Sequence, residues 1–365
     1  MQYVASPDNP FPLKAKYFLN HFTKMMGPYG LYQHATLQKP LLSEGYCTDD
    51  NARAVQMLAC LLPILSLKDQ TTGQKLLLNC WKFLQESQIK PGYFHNFRRS
   101  NGEWIIPGQS EDMYARLIRA FVEVLNNQSL AELHESALGL LMPILLRSSE
   151  MRAPRFWAEC LVSLDSSPKE VPSDLVYSLI QQGHNRLVQL WEANSSPDWP
   201  WFEEKMTYAN ALLPHGLFAS IKSHKNKNTF AQDALEKSAS FLIKTTIIKD
   251  IFVPIGSNGW YPKGGKPSHD NQQAIEAGTM FDFLLTYSES TNFKMDPKVV
   301  VAPYLWFFGR NTAKVNLADP STGACLDGLF TNGPNPNYGA ESMLAYQWSE
   351  ILLRTSKNNL PPLLL

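Results

Sequence analysis

The links between helical segments constrain this chain more than any other feature of its sequence. Apolar residues recur with a 3.6-residue period over 13–26, 50–65, 72–89, 111–126, 129–148, 151–164, 173–194, 207–223, 229–248, 271–289, 296–309 and 340–355, which predicts twelve helices. Links 2–3, 4–5, 6–7 and 10–11 are short and plain. Links 1–2 (27–49), 3–4 (90–110), 7–8 (195–206), 9–10 (249–270) and 11–12 (310–339) are long and rich in Gly, Pro, Trp, Tyr and acids; only 5–6 breaks the alternation, with Ser149 and Glu150 alone between its helices. If successive helices run antiparallel, the long links gather at one end of the bundle and the short ones at the other. One end is then built for function and the other for closure.

Twelve antiparallel helices without a low-complexity linker predict an all-α fold: one domain spanning 1–365 that closes as an (α/α)6 toroid of six hairpins. The even-numbered helices are expected inside, with their N-termini under the long links. A solenoid is the competing architecture, but solenoids repeat at about 33 to 47 residues with uniform links. Here the hairpin period is about 60 and the links are unequal. Strand patterns are nearly absent. The exception, 93–106, has two short alternating runs around Asn101 and Gly102 and predicts a small β-hairpin decorating the helical body.

Charge then excludes partners. Lys+Arg 33 balances Asp+Glu 33 and only 18% of residues are charged, so no footprint for nucleic acid or an anionic membrane is present. No apolar run approaches the roughly 18 residues of a membrane span. The opening MQYVASPDNPFPLK lacks the basic and apolar regions of a secretion signal, so a soluble, cytoplasmic protein is expected. Five cysteines without CxxC spacing read as reduced thiols, three of them inside apolar helical patterns. Aromatics reach 12%, with nine Trp and 14 Tyr, a surplus of rings that suits neutral, stackable ligands such as sugars.

Acids recur where even-numbered helices begin. Helix 2 opens Thr48-Asp49-Asp50-Asn51-Ala52-Arg53. One acid could cap the helix while the other, about 100° around it, faces the barrel mouth, and Arg53 can pair with Asp49 four residues earlier. Helix 4 opens Ser110-Glu111-Asp112-Met113-Tyr114-Ala115-Arg116 in the same style. Helix 10 opens through Asp270 and Gln273 to Glu276, which lies in an apolar stretch and is either a buried structural acceptor or a pocket acid. Before helix 12 come Asp327 and Asn337, and Glu341 lies in its first turn. Helix 8, with Tyr208 near its start, carries no acid at the matching position. Trp104, Trp199, Trp201, Trp260 and Tyr261 all fall in the long links, as sugar-stacking platforms or as plugs of the barrel end.

Paired carboxylates around an aromatic-lined mouth suit glycoside chemistry, in which a protonated acid serves the leaving oxygen while a carboxylate activates water or attacks directly. Other chemistries lack their signatures. The aspartate pair has neither a DDxxD nor a DxDD context; no HxxxH, HExxH, GxGxxG, P-loop or GxSxG occurs, so no metal or cofactor is expected.

The motifs GYCTDDNARA, SEDMYAR, GWYPKGG with HDNQQAIEA, TGACLDGL and NYGAES, in that order over nearly the whole chain, resemble the six-hairpin glycosidase-like module found alone or fused to bacterial family 4 glycosyltransferases and mannan-active proteins. The resemblance implies the (α/α)6 toroid, a role in carbohydrate metabolism and a glycosyltransferase or glycosidase partner. It also implies an acid and an arginine where Ala209 and Leu212 stand, and there this sequence departs.

The resulting expectation is a glycoside hydrolase, inverting, on a neutral oligosaccharide. Its acid and base come from Asp50 and Asp112 against Glu276 and Glu341. Asp49, Arg53, Glu111, Arg116, Trp104, Trp199, Trp201, Tyr208, Trp260, Tyr261, Asp270, Gln273, Asp327 and Asn337 are expected to bind substrate. Two alternatives stand beside it: a silent glycan-binding or scaffolding module, suggested by Ala209, and a sugar epimerase, which needs cavity histidines from among His34, His95, His215 and His269.

Overall fold

The computed structural model describes residues 18–106, 110–223, 229–290 and 295–356. Among them are twelve α-helices: α1 Asn20–Met25, α2 Thr48–Leu61, α3 Leu67–Ser87, α4 Glu111–Asn126, α5 His134–Arg147, α6 Pro154–Leu164, α7 Ser173–Asn194, α8 Leu212–Ser223, α9 Thr229–Thr246, α10 Ala274–Ser290, α11 Pro297–Trp306 and α12 Ala340–Thr355. The first residues expected in helix 1, 13–17, lie outside the described set.

The even-numbered helices form a closed ring, each packing on the next from α2 through α12 and back to α2, with the odd-numbered helices outside as a second layer. Burial explains the sorting. Inner α4 buries twelve residues in a run interrupted only at Glu123, because it meets neighbours on nearly every side. Outer α7 buries only a stripe that includes Leu179, Ile180, Gly183, Leu187 and Trp191, the narrow apolar face of a helix with solvent behind it. Where α8 crosses α6, a Cβ on Gly216 would lie 2.5 Å from the Ala158 backbone, so this close approach requires glycine.

Short strand pairs stitch the long links to one another and place them at one end. Tyr46–Cys47 before α2 pairs with Phe97–Arg98 before α4, which pairs with Trp104–Ile105. Lys205–Met206 before α8 pairs with Tyr261–Pro262 before α10. Gln272–Gln273 pairs with Gly328–Phe330 before α12.

Several local expectations change. The hairpin around Asn101 and Gly102 is present, but Tyr93–Phe94 belongs to a separate pairing with Gln88–Lys90. Helix 8 starts at Leu212 rather than 207. Asn210 uses its side-chain amide to accept from Thr207 N–H (3.0 Å) and to donate to the Thr207 carbonyl (2.5 Å), while Ala209 sits in the left-handed region at φ +44°, which helix geometry excludes. Helix 10 starts at Ala274 because Asn271 is left-handed (φ +58°) and Gln272–Gln273 is a strand. Finally, Gln128–Glu150, a run of 3-10 and α-helix through α5, is long and apolar enough to cross a bilayer by length and composition. Here it is an outer helix whose Ala137, Leu140, Leu141, Ile144 and Leu145 are buried, with α5 packed on α4.

Candidate active site

A cavity of about 570 Å³ opens at the long-link end, between the starts of α2, α10 and α12. Asp49, Asp50, Gln273, Asp327, Asn337 and Glu341, all expected to serve the site, line it together with Gln33, His34, Glu44, Cys47, Asn271, Phe330 and Ser342.

The start of α2 is built unusually. The N-cap is Cys47, whose sulfur accepts from the Asp50 N–H (3.3 Å), so neither aspartate is spent on capping. Both aspartates therefore reach the cavity. The Cys47 thiol in turn donates to Asp50 Oδ2 (3.0 Å). Burial pushes the Asp50 carboxyl up to about 7; Arg53 opposes this, while Asp49 and Glu341 add to it. Asp50 thus keeps its proton to a much higher pH than an ordinary carboxyl does.

Arg53 lies beneath this cluster and bridges two helices. It pairs with Asp49 (2.9 Å), as the i,i+4 spacing predicted, and with Glu341 on the neighbouring α12 (2.7 Å). Arg116 does not pair with Asp112. It pairs with Glu159 on α6 and approaches Asp49 at 3.9 Å. Below it Arg119 joins Glu159 (3.4 Å) to Asp282 on α10 (2.8 Å), and Asp282 also accepts from the Trp348 indole N–H (3.0 Å). A ladder of alternating charge thus descends the ring interior under the mouth.

The other two proposed catalytic acids sit apart from the cavity lining. Asp112 accepts from the Tyr208 hydroxyl (2.6 Å), and the Arg155 guanidinium lies 4.4 Å from the centre of the Tyr208 ring. Glu276 takes the structural alternative left open by its apolar surroundings. It accepts from the Ala209 N–H, from the Asn210 N–H (3.4 Å) and from the Asn210 side-chain amide (3.1 Å), pinning the turn before α8. Burial nonetheless raises it to about 7, against those donors and Arg155.

Several expected ligand-binding residues make structural contacts outside the lining of this cavity. Glu111 accepts from the Arg152 and Ala153 N–H groups (2.7 and 2.5 Å), supplying an acceptor just before α6. Asp270 accepts from Asn258 and from both the N–H and the hydroxyl of Thr331, which clasps two links together, because it lies in a loop and not at a helix start. Trp199 and Trp201 are buried; Trp199 packs edge-on against Phe241 and Tyr261, and its indole donates to the Glu203 carbonyl. Trp104 stacks on His95, and Trp260 packs against the core with φ +56°. None of these five link rings lines the cavity; they anchor links that have few backbone ladders of their own. The rings that do line it are Phe330 and His34.

Of the four candidate histidines, His34 lines the cavity. His215 lies deeper, in a separate cavity of about 280 Å³ with Arg119, Asp282, Asp165 and Lys222, and burial lowers it to about 4. Sequence reasoning also missed Glu159, Arg119 and Asp282, charged residues on otherwise apolar inner helices. Glu159 carries the same signal as Glu276: an acid inside an apolar helical run.

This ring of six hairpins with a polar, acid-rich mouth is an (α/α)6 toroid. The cellobiose 2-epimerase of Spirochaeta thermophila DSM 6192 superposes with TM-score 0.68 at 12% identity, over 93% of each chain. A D-mannose isomerase superposes with TM-score 0.65 at 13% identity, over 93% of this chain and 96% of its own. A cellulase of C. cellulolyticum gives 0.56 at 9% identity, over 88% and 86%. No family model matches the sequence, and no curated protein matches it.

Proposed function

We propose that this chain is a carbohydrate-active protein that hydrolyses a glycosidic bond of a neutral oligosaccharide with inversion, in the mouth cavity. Asp50 is the general acid, Glu341 the base that activates water, and Arg53 holds Glu341 and Asp49 in place. The observation that carries this reading is Asp50: a buried carboxyl raised to about 7 that shares one cavity with Glu341. Glycoside cleavage needs that pairing of a proton-holding acid with a second carboxyl. Amide side chains of Gln33, Asn271, Gln273, Asn335 and Asn337 supply donors and acceptors for sugar hydroxyls, and Phe330 supplies an apolar face.

A second reading, sugar epimerisation or isomerisation, draws support from similar folds that are named epimerases and an isomerase, and His34 at the cavity wall would supply its base. A third, glycan binding without turnover, draws support from Ala209, whose backbone rather than an acid side chain meets Glu276. Incubation with a panel of neutral gluco- and manno-oligosaccharides, followed by NMR, separates the three. Hydrolysis releases new reducing ends of inverted anomeric form and is lost in Asp50→Asn and Glu341→Gln. Epimerisation changes C2 without new reducing ends, and a binding module gives saturable contacts with neither. New reducing ends that persist in both variants would sink the assignment. The resemblance also supports a glycosyltransferase or glycosidase partner, and the free, buried cysteines support a cytoplasmic setting; co-purification and cell fractionation would test these.

A further inference from the structure

The cap of α2 is a poor choice for stability. An oxygen side chain at an N-cap stabilises a helix by about 1 kcal/mol over residues that cannot accept well, yet position 47 carries a thiol. Its place is fixed from several sides. The Cys47 backbone pairs with Phe97 in the strand before α2, and its carbonyl accepts from the Asn51 amide (2.9 Å). The sulfur accepts from the Asp50 N–H and donates to Asp50 Oδ2, and Cys47 and Asp50 line the same cavity. The thiol and the carboxyl thus form one closed unit facing the ligand space.

Building on the hydrolase reading, we propose that Cys47 is a positioning residue: its S–H aims the Asp50 carboxyl at the cavity and tunes how tightly that carboxyl keeps its proton. The argument is one of donor strength. A strong donor to a carboxylate favours the ionised form, and a missing donor leaves it unsupported. A thiol is a weak donor, so it fixes geometry while conceding little to ionisation. Burial, with Asp50 and Asp49 next, pushes the Cys47 thiol well above its ordinary range, so it stays protonated and keeps donating. The other charged groups facing Asp50 are Asp49 and Arg53 on its own helix and Glu341 on α12; Glu44, His34 and Asp327 line the rest of the cavity, and Arg116 approaches Asp49 from α4.

The test titrates Asp50 directly, by NMR of chain labelled with 13C at the aspartate side-chain carboxyl, with Asp50→Asn assigning the signal. Cys47→Ser, a stronger donor that keeps the cap, should lower the Asp50 midpoint by about half a pH unit, and Cys47→Ala should raise it by a similar amount. Thermal unfolding checks that both variants fold; Cys47→Ser alone suffices if the alanine variant does not. Where turnover is present, its alkaline limb should move with the midpoint, because the acid must stay protonated to act. Midpoints that stay put, or that move in the same direction in both variants, overturn the proposal. A chain without turnover whose midpoint still follows the cysteine series supports the positioning role and overturns only the hydrolase reading.

Discussion

Asp50 should make the folded chain less stable as pH rises, and removing its charge should reverse that. Its carboxyl is held at about 7 against an ordinary value of 3.8. The folded state therefore binds this proton more tightly than the unfolded state does. Below 3.8 the group makes no difference; as pH rises, folding stability drains away until the folded carboxyl ionises near 7, and above that the loss levels off. Between about pH 4 and pH 8 this amounts to about 4 kcal/mol. Asn keeps the shape without the charge, so Asp50→Asn should be close to neutral in acid and stabilising in base. At roughly 2.1 cal/mol/K per residue, 365 residues give about 0.8 kcal/mol per degree, so the gain in Tm near pH 8 is about 5 °C. Glu276 provides the contrast. It is raised to about the same value, but its oxygens already accept from three N–H groups, and an amide would turn N–H against N–H. Glu276→Gln should therefore gain less than Asp50→Asn at every pH. Thermal unfolding followed by circular dichroism across this range decides the matter. A Tm difference between Asp50→Asn and the parent that stays flat with pH would refute the reasoning, as would a Glu276 variant equal to the Asp50 one.

Three further outcomes follow from the packing. Arg53→Met strips the shared partner from Asp49 and Glu341; since Glu341 is half-exposed, water screens part of the loss, and stability should fall by about 2–3 kcal/mol. Adding Glu341→Gln should restore part of it, and a double variant no better than the single would argue against the bridge. Trp201→Ala should cost about 3–5 kcal/mol as a core deletion while leaving glycan affinity unchanged in a titration, because the ring is fully buried away from the cavity. His215 is held neutral by burial, with a folded value of about 4 below its ordinary 6.5. Its contribution is intact above 6.5 and is lost as pH falls toward 4, so His215→Asn should flatten the acid side of the Tm profile between those values.

The fold was legible because helix period and link length are properties of consecutive residues. Twelve periodic segments met twelve helices among the described residues, and the alternation of links placed α2, α4, α6, α8, α10 and α12 inside. The site was legible only in part. Asp49, Asp50, Asp327, Asn337, Gln273 and Glu341 converge as the recurring acid motifs suggested. Glu111 and Asp270 carry the same residue types at similar positions, yet the carboxylate of one accepts from backbone N–H groups before α6 and that of the other clasps Thr331. No local pattern distinguishes an acid that meets a cavity from one that meets free N–H groups, because the partner lies on a distant segment. The ring-rich links have a related ambiguity: Trp199 and Trp201 both pack on Phe241, the small core such a link builds for itself.

The ladder inside the ring explains how such a mouth can be tolerated. Asp50 costs stability, and Asp49 and Glu341 repel it and each other. The cations that answer them do so across helices. Arg53 ties α2 to α12, Arg116 and Arg119 tie α4 to α6 through Glu159, and Arg119 ties α4 to α10 through Asp282. Each buried ion pair adds little net stability over an apolar substitute, but a ring whose lumen were apolar would hold its helices in register only by shape. Charges with fixed partners on other helices bind the starts of α2 and α12 to a single relative position. That position brings Asp50 and Glu341 to one cavity, the arrangement on which the proposed hydrolysis depends.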